Sequence, residues 1–419
     1  MSFFERHKLI KVLSLNAISV MIQFVLGIFS VRIVSEYLGA SGMALTGNFR
    51  SFTALFKSIS VLGLKEGLIK LFLEKAASEE DRKAIVATFS VFFIGIALIL
   101  TAVIVIFSKS FSLYLFQSDS YSIYLEYFAL LLPFFVLQTL LITLFNAEQA
   151  FRKIVSIQVI TTILLFLISV YFIYQKRLAG AFFAIAIADF ISFLVAVFFV
   201  KKQYGFSFQL KIIYLKTISK FIIMALVSAI VIPITAILIR NHIITNSSTF
   251  KAGIWEAINR ISGFYMMFFS AGLSLYYLPK LSAITTDKEF KNELNYYFKI
   301  LFPIFVGVLL LVYLFKNVII SVALAREFHP VSDLLIWQLI GDLFRVMTLA
   351  FGFQILVKTM VIKYIIIESV YNILYISLSF FLFEEYQVEG VMKAYVIANV
   401  VIFCIILAMF RKLFLRPNS

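Results

Sequence analysis

The chain has 419 residues, 62% of them hydrophobic and only 14% charged. A soluble protein of that size could not cover so much apolar surface with so few polar side chains. The formal charge of +15 would suggest nucleic acid in a soluble protein. Here the basic residues lie mostly between apolar runs, which reads as membrane orientation, so no nucleic-acid partner is expected.

The apolar runs approach the 20 residues an α-helix needs to cross about 30 Å of hydrocarbon. They are continuous, not alternating, which disfavours a barrel and predicts an all-α polytopic membrane protein. Twelve spans are predicted, at 10–34, 42–64, 84–108, 121–146, 153–174, 178–200, 217–239, 252–276, 298–320, 330–356, 361–383 and 389–410. The first follows Arg6, Lys8 and Lys11 and runs on to Val34 with no small-x-small cleavage site, so it reads as an uncleaved span. Counting each loop with the adjacent span ends, 24 Lys and Arg fall on the side of both termini and 7 on the other. That asymmetry places both termini in the cytoplasm.

A basic loop at 201–216 (Lys201, Lys202, Lys211, Lys216) divides the chain into six-span lobes, residues 1–200 and 217–419. Gly42, Asn48 and Ser51 of span two recur as Gly253, Asn259 and Ser262 of span eight, offset by 211 residues. Because each half has an even number of spans, the halves are expected to be parallel repeats. Cys404, the sole cysteine, falls in the last span and excludes an intramolecular disulfide.

Ionisable residues inside spans cost several kcal/mol when they face lipid, so they usually face a cavity or a partner. Span two carries Arg50 and Lys57, nearly on one face, with no acid on their own helix. Asp189 lies in span six and Glu368 in span eleven; each could relay a proton, cap a backbone break or pair with a distant arginine. In span eight, Glu256, Asn259, Arg260, Gly263, Ser270 and Ser274 share about a third of the helix circumference. Gln338, Gly341, Asp342, Arg345, Thr348 and Gly352 do the same in span ten. The plain alternative is that Glu256–Arg260 and Asp342–Arg345 are self-neutralising pairs in a structural bundle. The functional reading sets Arg50, Arg260 and Arg345 at stepped depths along one cavity, where their planar forks suit phosphate.

His7, His242 and His329 have no metal spacing, and neither a metal nor a cofactor is expected. The 49 phenylalanines are expected to face lipid. No Gly-rich phosphate loop or nucleophile motif stands out, so neither an ATP-driven pump nor an enzyme is predicted.

Three segments carry a resemblance: Asn48-Phe49-Arg50, Gly253-Ile-Trp through Tyr277-Leu-Pro-Lys-Leu-Ser282, and Trp337-Gln-Leu-Ile-Gly-Asp342. Together they resemble the Wzx-type polysaccharide repeat-unit flippases, nearest to those of enterobacterial common antigen, in the multidrug/oligosaccharidyl-lipid/polysaccharide exporter superfamily. The resemblance implies two six-helix lobes around a central cavity in the bacterial inner membrane. It further implies alternating access and an undecaprenyl-pyrophosphate-linked glycan of the O-antigen, common-antigen or capsule type as substrate. Membrane lipid, and a polymerase and chain-length regulator of the same pathway, would be partners. By position Arg50, Arg260 and Arg345 are the substrate-binding candidates, to which the stripes add Lys57 and Asn259. Glu256, Asp342, Asp189 and Glu368 are candidates for coupling or charge pairing. Gly263 stands where the family pattern has an acid, which puts an acid-dependent step at that position in doubt.

Other readings stay open. A cation-coupled multidrug exporter of the same superfamily should show an acid-rich cavity. A membrane glycan polymerase or ligase should have large outer loops, whereas the longest predicted here, 240–251, is about a dozen residues. A peptidoglycan lipid II flippase usually has extra spans.

Overall fold

The computed structural model describes residues 3–62, 64–75, 79–200, 219–411 and 413, and among them no strand occurs. The basic loop expected at 201–216 lies outside the described residues. In chain order the helices are α1 (Phe3–Ser60), α2 (Leu64–Lys75), α3 (Glu79–Ile106), α4 (Ser108–Phe116), α5 (Ser122–Ala147) and α6 (Phe151–Phe198). Beyond residue 218 come α7 (Ser219–Asn246), α8 (Thr249–Ala283), α9 (Asp287–Tyr296), α10 (Phe302–Leu314), α11 (Lys316–Ala323), α12 (Val331–Val357) and α13 (Val361–Met409). A π-turn, Tyr297–Leu301, joins α9 to α10 without a break, and Pro303, which has no N–H to give the preceding turn, follows directly after it. Nine helical stretches among the described residues are long and apolar enough to cross a bilayer.

Helices α1, α6 and α13 run to 58, 48 and 49 residues, each more than twice the length of one crossing. Each is interrupted by one residue of positive φ: Gly39 (66°), Arg177 (52°) and Gln387 (54°). These fall at the predicted joins between spans one and two, five and six, and eleven and twelve. At two of them the chain doubles back tightly. A Cβ added to Gly180 would lie 1.8 Å from the Phe172 carbonyl oxygen, and one on Gly390 would lie 2.2 Å from that of Leu382. Along a straight helix, residues eight apart would be separated by about 12 Å. Likewise Ser30 and Arg50 of α1 line one pocket although they are twenty residues apart in sequence.

The doubling back recurs with a fixed offset. Arg177 and Gln387, Gly180 and Gly390, and the left-handed residues Gln149 and Thr359 are each separated by 210 positions. Around them the order long helix, short helix, 3-10 turn, long helix, hairpin appears twice, as α3–α6 and as α9–α13. By internal contacts the chain forms two compact units: Met1–Leu38 with Leu45–Ile234, and Gly39–Ala44 with Thr235–Ser419.

The expectation that phenylalanine serves as lipid-facing bulk is corrected in part. Phe198 and Phe381 are indeed 86% and 72% exposed. In the first unit, however, Phe49 is fully buried, with ring centroids of Phe116, Phe128 and Phe182 at 5.9, 6.4 and 5.3 Å, all edge-on. Edge-to-face packing sets the electropositive ring edge against the negative face, so a core can be built from one residue type. The second unit likewise buries Phe305, Phe328, Phe351 and Phe383.

Candidate functional site

In the first unit the polar residues come from the second arm of α1 and its partners. Arg50, half-buried, lines a pocket with Ser30, Thr46 and Ser169 and the apolar Ile33 and Ile173. The pocket therefore offers a guanidinium with hydroxyls nearby, on an otherwise apolar wall. Asn48 is buried and structural: its Nδ2 donates to the Leu115 carbonyl at 2.8 Å, satisfying one of the end carbonyls of α4. Lys57 finds its partner on another helix. No acid lies near it on its own helix, but its Nζ sits 2.6 Å from Asp189 Oδ2 on the second arm of α6. Its ammonium also lies 5.5 Å from the centre of the Phe135 ring. Lys57 is thus compensated by a partner 132 residues away, which no inspection of one helix could reveal.

In the second unit Glu256 is shared by two arginines. Its Oε1 lies 2.7 Å from Arg260 Nη2, the i,i+4 pair the sequence suggests, and its Oε2 lies 2.6 Å from Arg240 Nη2 on α7. Asn259, expected to bind substrate, donates its side-chain amide to the Trp255 carbonyl one turn back, at 2.9 Å.

Asp342 lies one layer further along α12 and is fully buried. Its Oδ2 accepts from Ser262 Oγ at 2.6 Å, from the Tyr265 hydroxyl, and from Gln338 Nε2 at 3.2 Å. The Tyr395 hydroxyl donates to Oδ1 at 2.6 Å. One carboxylate so ties α8, α12 and the second arm of α13 together. Gly341 makes the last bond possible, because a Cβ there would stand 2.3 Å from the Tyr395 ring. The alternative of an Asp342–Arg345 ion pair does not hold: among the described residues no carboxylate lies within 4.0 Å of Arg345. The charge of Asp342 is held by hydroxyl and amide donors, leaving Arg345 exposed beside Tyr395 and Tyr371. Glu368, half-buried on the first arm of α13, feels the Arg345 charge at longer range.

Three guanidiniums (Arg240, Arg260, Arg345) and three carboxylates (Glu256, Asp342, Glu368) therefore share this interior, and the sum is close to neutral. Its distribution is not. The Glu256 side chain is 5% exposed and Asp342 is sealed, whereas Arg260 is 31% exposed and Arg345 is open. Glu256 and Asp342 thus lie deeper than the arginines beside them, while Glu368 is itself half-buried. Sequence reading missed Arg240, which sits at a span edge and counts there as a loop charge, and Tyr395, which nothing in its neighbourhood distinguishes. Tyr265 was findable, since it follows Ser262 by three residues and so shares its face. Among the described residues no group of His, Cys, Asp and Glu is arranged to hold a metal.

No family model matches the chain. It is 24% identical to the lipid III flippase of Escherichia coli (strain K12) over 407 residues, 94% of this chain and 96% of that protein. Among solved structures, the lipid II flippase MurJ in an inward closed conformation superposes with a TM-score of 0.77 at 16% identity, covering 95% of this chain and 88% of that one. An inward-facing multidrug resistance transporter of the MATE family gives 0.73 at 16% identity, covering 93% and 94%. The chain thus has the polytopic helical fold of the MOP-superfamily transporters, and along nearly its whole length its sequence is similar to a lipid III flippase.

Proposed function

We propose that this chain is a flippase that moves an undecaprenyl-pyrophosphate-linked oligosaccharide repeat unit from the cytoplasmic to the periplasmic leaflet of a bacterial inner membrane. The observation that carries the reading is the layering of charge: Arg345 is exposed and Arg260 half-buried, while Glu256 and Asp342 are buried behind them. The full-length likeness to a lipid III flippase supports the lipid-linked glycan, of the O-antigen, common-antigen or capsule type.

The head group cannot cross hydrocarbon unaided, whereas the polyprenyl tail prefers to stay there. Arginine forks at Arg50, Arg260 and Arg345 replace the water that the pyrophosphate gives up, each offering two parallel hydrogen bonds. Alternating access then exposes these groups to each side in turn. The hairpins of α1, α6 and α13 are read as two crossings each, giving twelve, in two lobes at 1–200 and 217–419. The excess of basic residues on one side supports cytoplasmic termini. The role is transport, not catalysis, with a polysaccharide polymerase and chain-length regulator acting downstream.

A cation-coupled drug exporter shares the fold. It would need its acids at the open surface to meet a cationic substrate, and here Glu256 and Asp342 are buried and Glu368 is half-buried.

Strains carrying Arg50→Ala, Arg260→Ala or Arg345→Ala should accumulate the lipid-linked intermediate and lose surface glycan. Normal surface glycan in all three would remove the arginine-based reading. Arg→Lys at the same positions separates charge from fork geometry, and the lysine variants are expected to be only partly active.

A further inference from the structure

The Glu256 carboxylate binds two guanidiniums, and the two are not equivalent. Arg240 is shut in behind it, 3% exposed, with its guanidinium 5.3 Å from the centre of the Trp255 ring. Arg260 stands in front, 31% exposed, one helical turn on from Glu256. Arg260 lies on the same helix as Glu256 and ties α8 to nothing else, so the structural part of the cluster is the bridge from Arg240 on α7. Burying that second guanidinium costs several kcal/mol in desolvation, and it does more than join two helices. Its electrostatic consequence is specific. Glu256 with Arg260 alone sums to zero, and a neutral pair offers an approaching diphosphate little attraction; with Arg240 the triad carries one positive charge, and the exposed member is Arg260.

We propose that Arg240 is a positioning residue for substrate binding: by neutralising Glu256 from behind, it leaves the charge of Arg260 to the diphosphate of the lipid substrate. This rests on the flippase reading above, and it adds a residue to the site that touches no substrate.

The test is a charge series in the full-length protein, read by binding of undecaprenyl diphosphate in detergent and by flipping of a fluorescent undecaprenyl-diphosphate oligosaccharide in proteoliposomes. Arg240→Gln makes the triad neutral and should raise the KM by at least about tenfold, the equivalent of about 1.4 kcal/mol, with a smaller change in kcat. Adding Glu256→Gln restores one positive charge on Arg260 and should bring the KM back to within about threefold of wild type. Arg240→Lys keeps the charge and should remain close to wild type, and Glu256→Gln alone should bind undecaprenyl diphosphate more tightly.

A structural triad predicts the reverse, with the double variant at least as impaired as the single. That result, or a wild-type KM in Arg240→Gln, overturns the proposal. Should Arg240→Gln fail to fold, the double variant decides, since it buries no charge at either position; weak binding there overturns the idea and wild-type binding upholds it. A wild-type protein that binds no undecaprenyl diphosphate refutes the flippase reading and this proposal with it. Wild-type binding left unchanged by Arg240→Gln refutes the proposal alone.

Discussion

Asp342 draws four donors from three helices, so its removal and the loss of any one donor should differ sharply. A hydrogen bond to a charged group contributes about 1.5–3 kcal/mol, and Tyr395→Phe should lower stability by about that amount. Gly341→Ala reaches the same bond from the other side, because its Cβ would meet the Tyr395 ring at 2.3 Å and push the hydroxyl off the carboxylate. It carries an overpacking cost besides, typically about 1–3 kcal/mol. Once the ring has been displaced there is no hydroxyl contact left to lose, so the double variant should be no less stable than Gly341→Ala alone. Thermal unfolding in detergent measures all three, and simple additivity would mean that the two residues do not act on one bond. At this scale the sequence was half legible. The polar stripe named Gln338, Gly341, Asp342 and Arg345, because a helix repeats every 3.6 residues and the pattern lies within one segment. The contacts between segments, Tyr395 to Asp342 and Asp189 to Lys57, span 53 and 132 positions, and no local period encodes them.

At the scale of the helices, the joins at Gly39, Arg177 and Gln387 were visible because hydropathy falls where chain meets water, but the tightness of the turns was not. The hairpins at Arg177 and Gln387 depend on a glycine three residues on, at Gly180 and Gly390, that admits the carbonyl of the opposite arm. Backbone oxygen cannot rotate away as a side chain can. Gly180→Ala and Gly390→Ala should therefore force the arms apart and destabilise by at least about 2–3 kcal/mol, in the upper range of overpacking. Gly272 and Gly352 are the controls, since a Cβ at either meets nothing within 4 Å. There alanine should be neutral or stabilising by up to about 1 kcal/mol, the propensity difference in a helix interior. Quantities of folded protein in membranes, and unfolding in detergent, should rank the four substitutions in that order. Equal behaviour of all four would sink the hairpin account. The 210-residue recurrence makes a further demand: Gly180→Ala and Gly390→Ala should be comparably harmful, because the same turn is built twice.

For the whole molecule the question is what drives net movement, and the anchoring of the arginines bears on it. Arg260 is pinned to the buried Glu256, and Arg345 rises from the helix that Asp342 fastens to two neighbours. On the proposed function, guanidiniums fixed to their helices in this way would not accompany the diphosphate across the membrane. Two negative charges then move through the field largely uncompensated. With the cytoplasm negative, each gains about 2.3 kcal/mol per 100 mV on moving outward, roughly 4.6 kcal/mol for the pair. With the barrier halfway across the field, about half of this reaches the rate, a factor of roughly fifty. Proteoliposomes with potentials of either sign set by a potassium gradient and valinomycin should show outward flipping accelerated when the starting side is negative and slowed when it is positive. A rate indifferent to potential would mean that cations travel with the substrate. Glu368, half-buried within reach of the Arg345 field, would then become the first residue to neutralise. A proton gradient opposed to flipping would have to stall the wild type and spare Glu368→Gln.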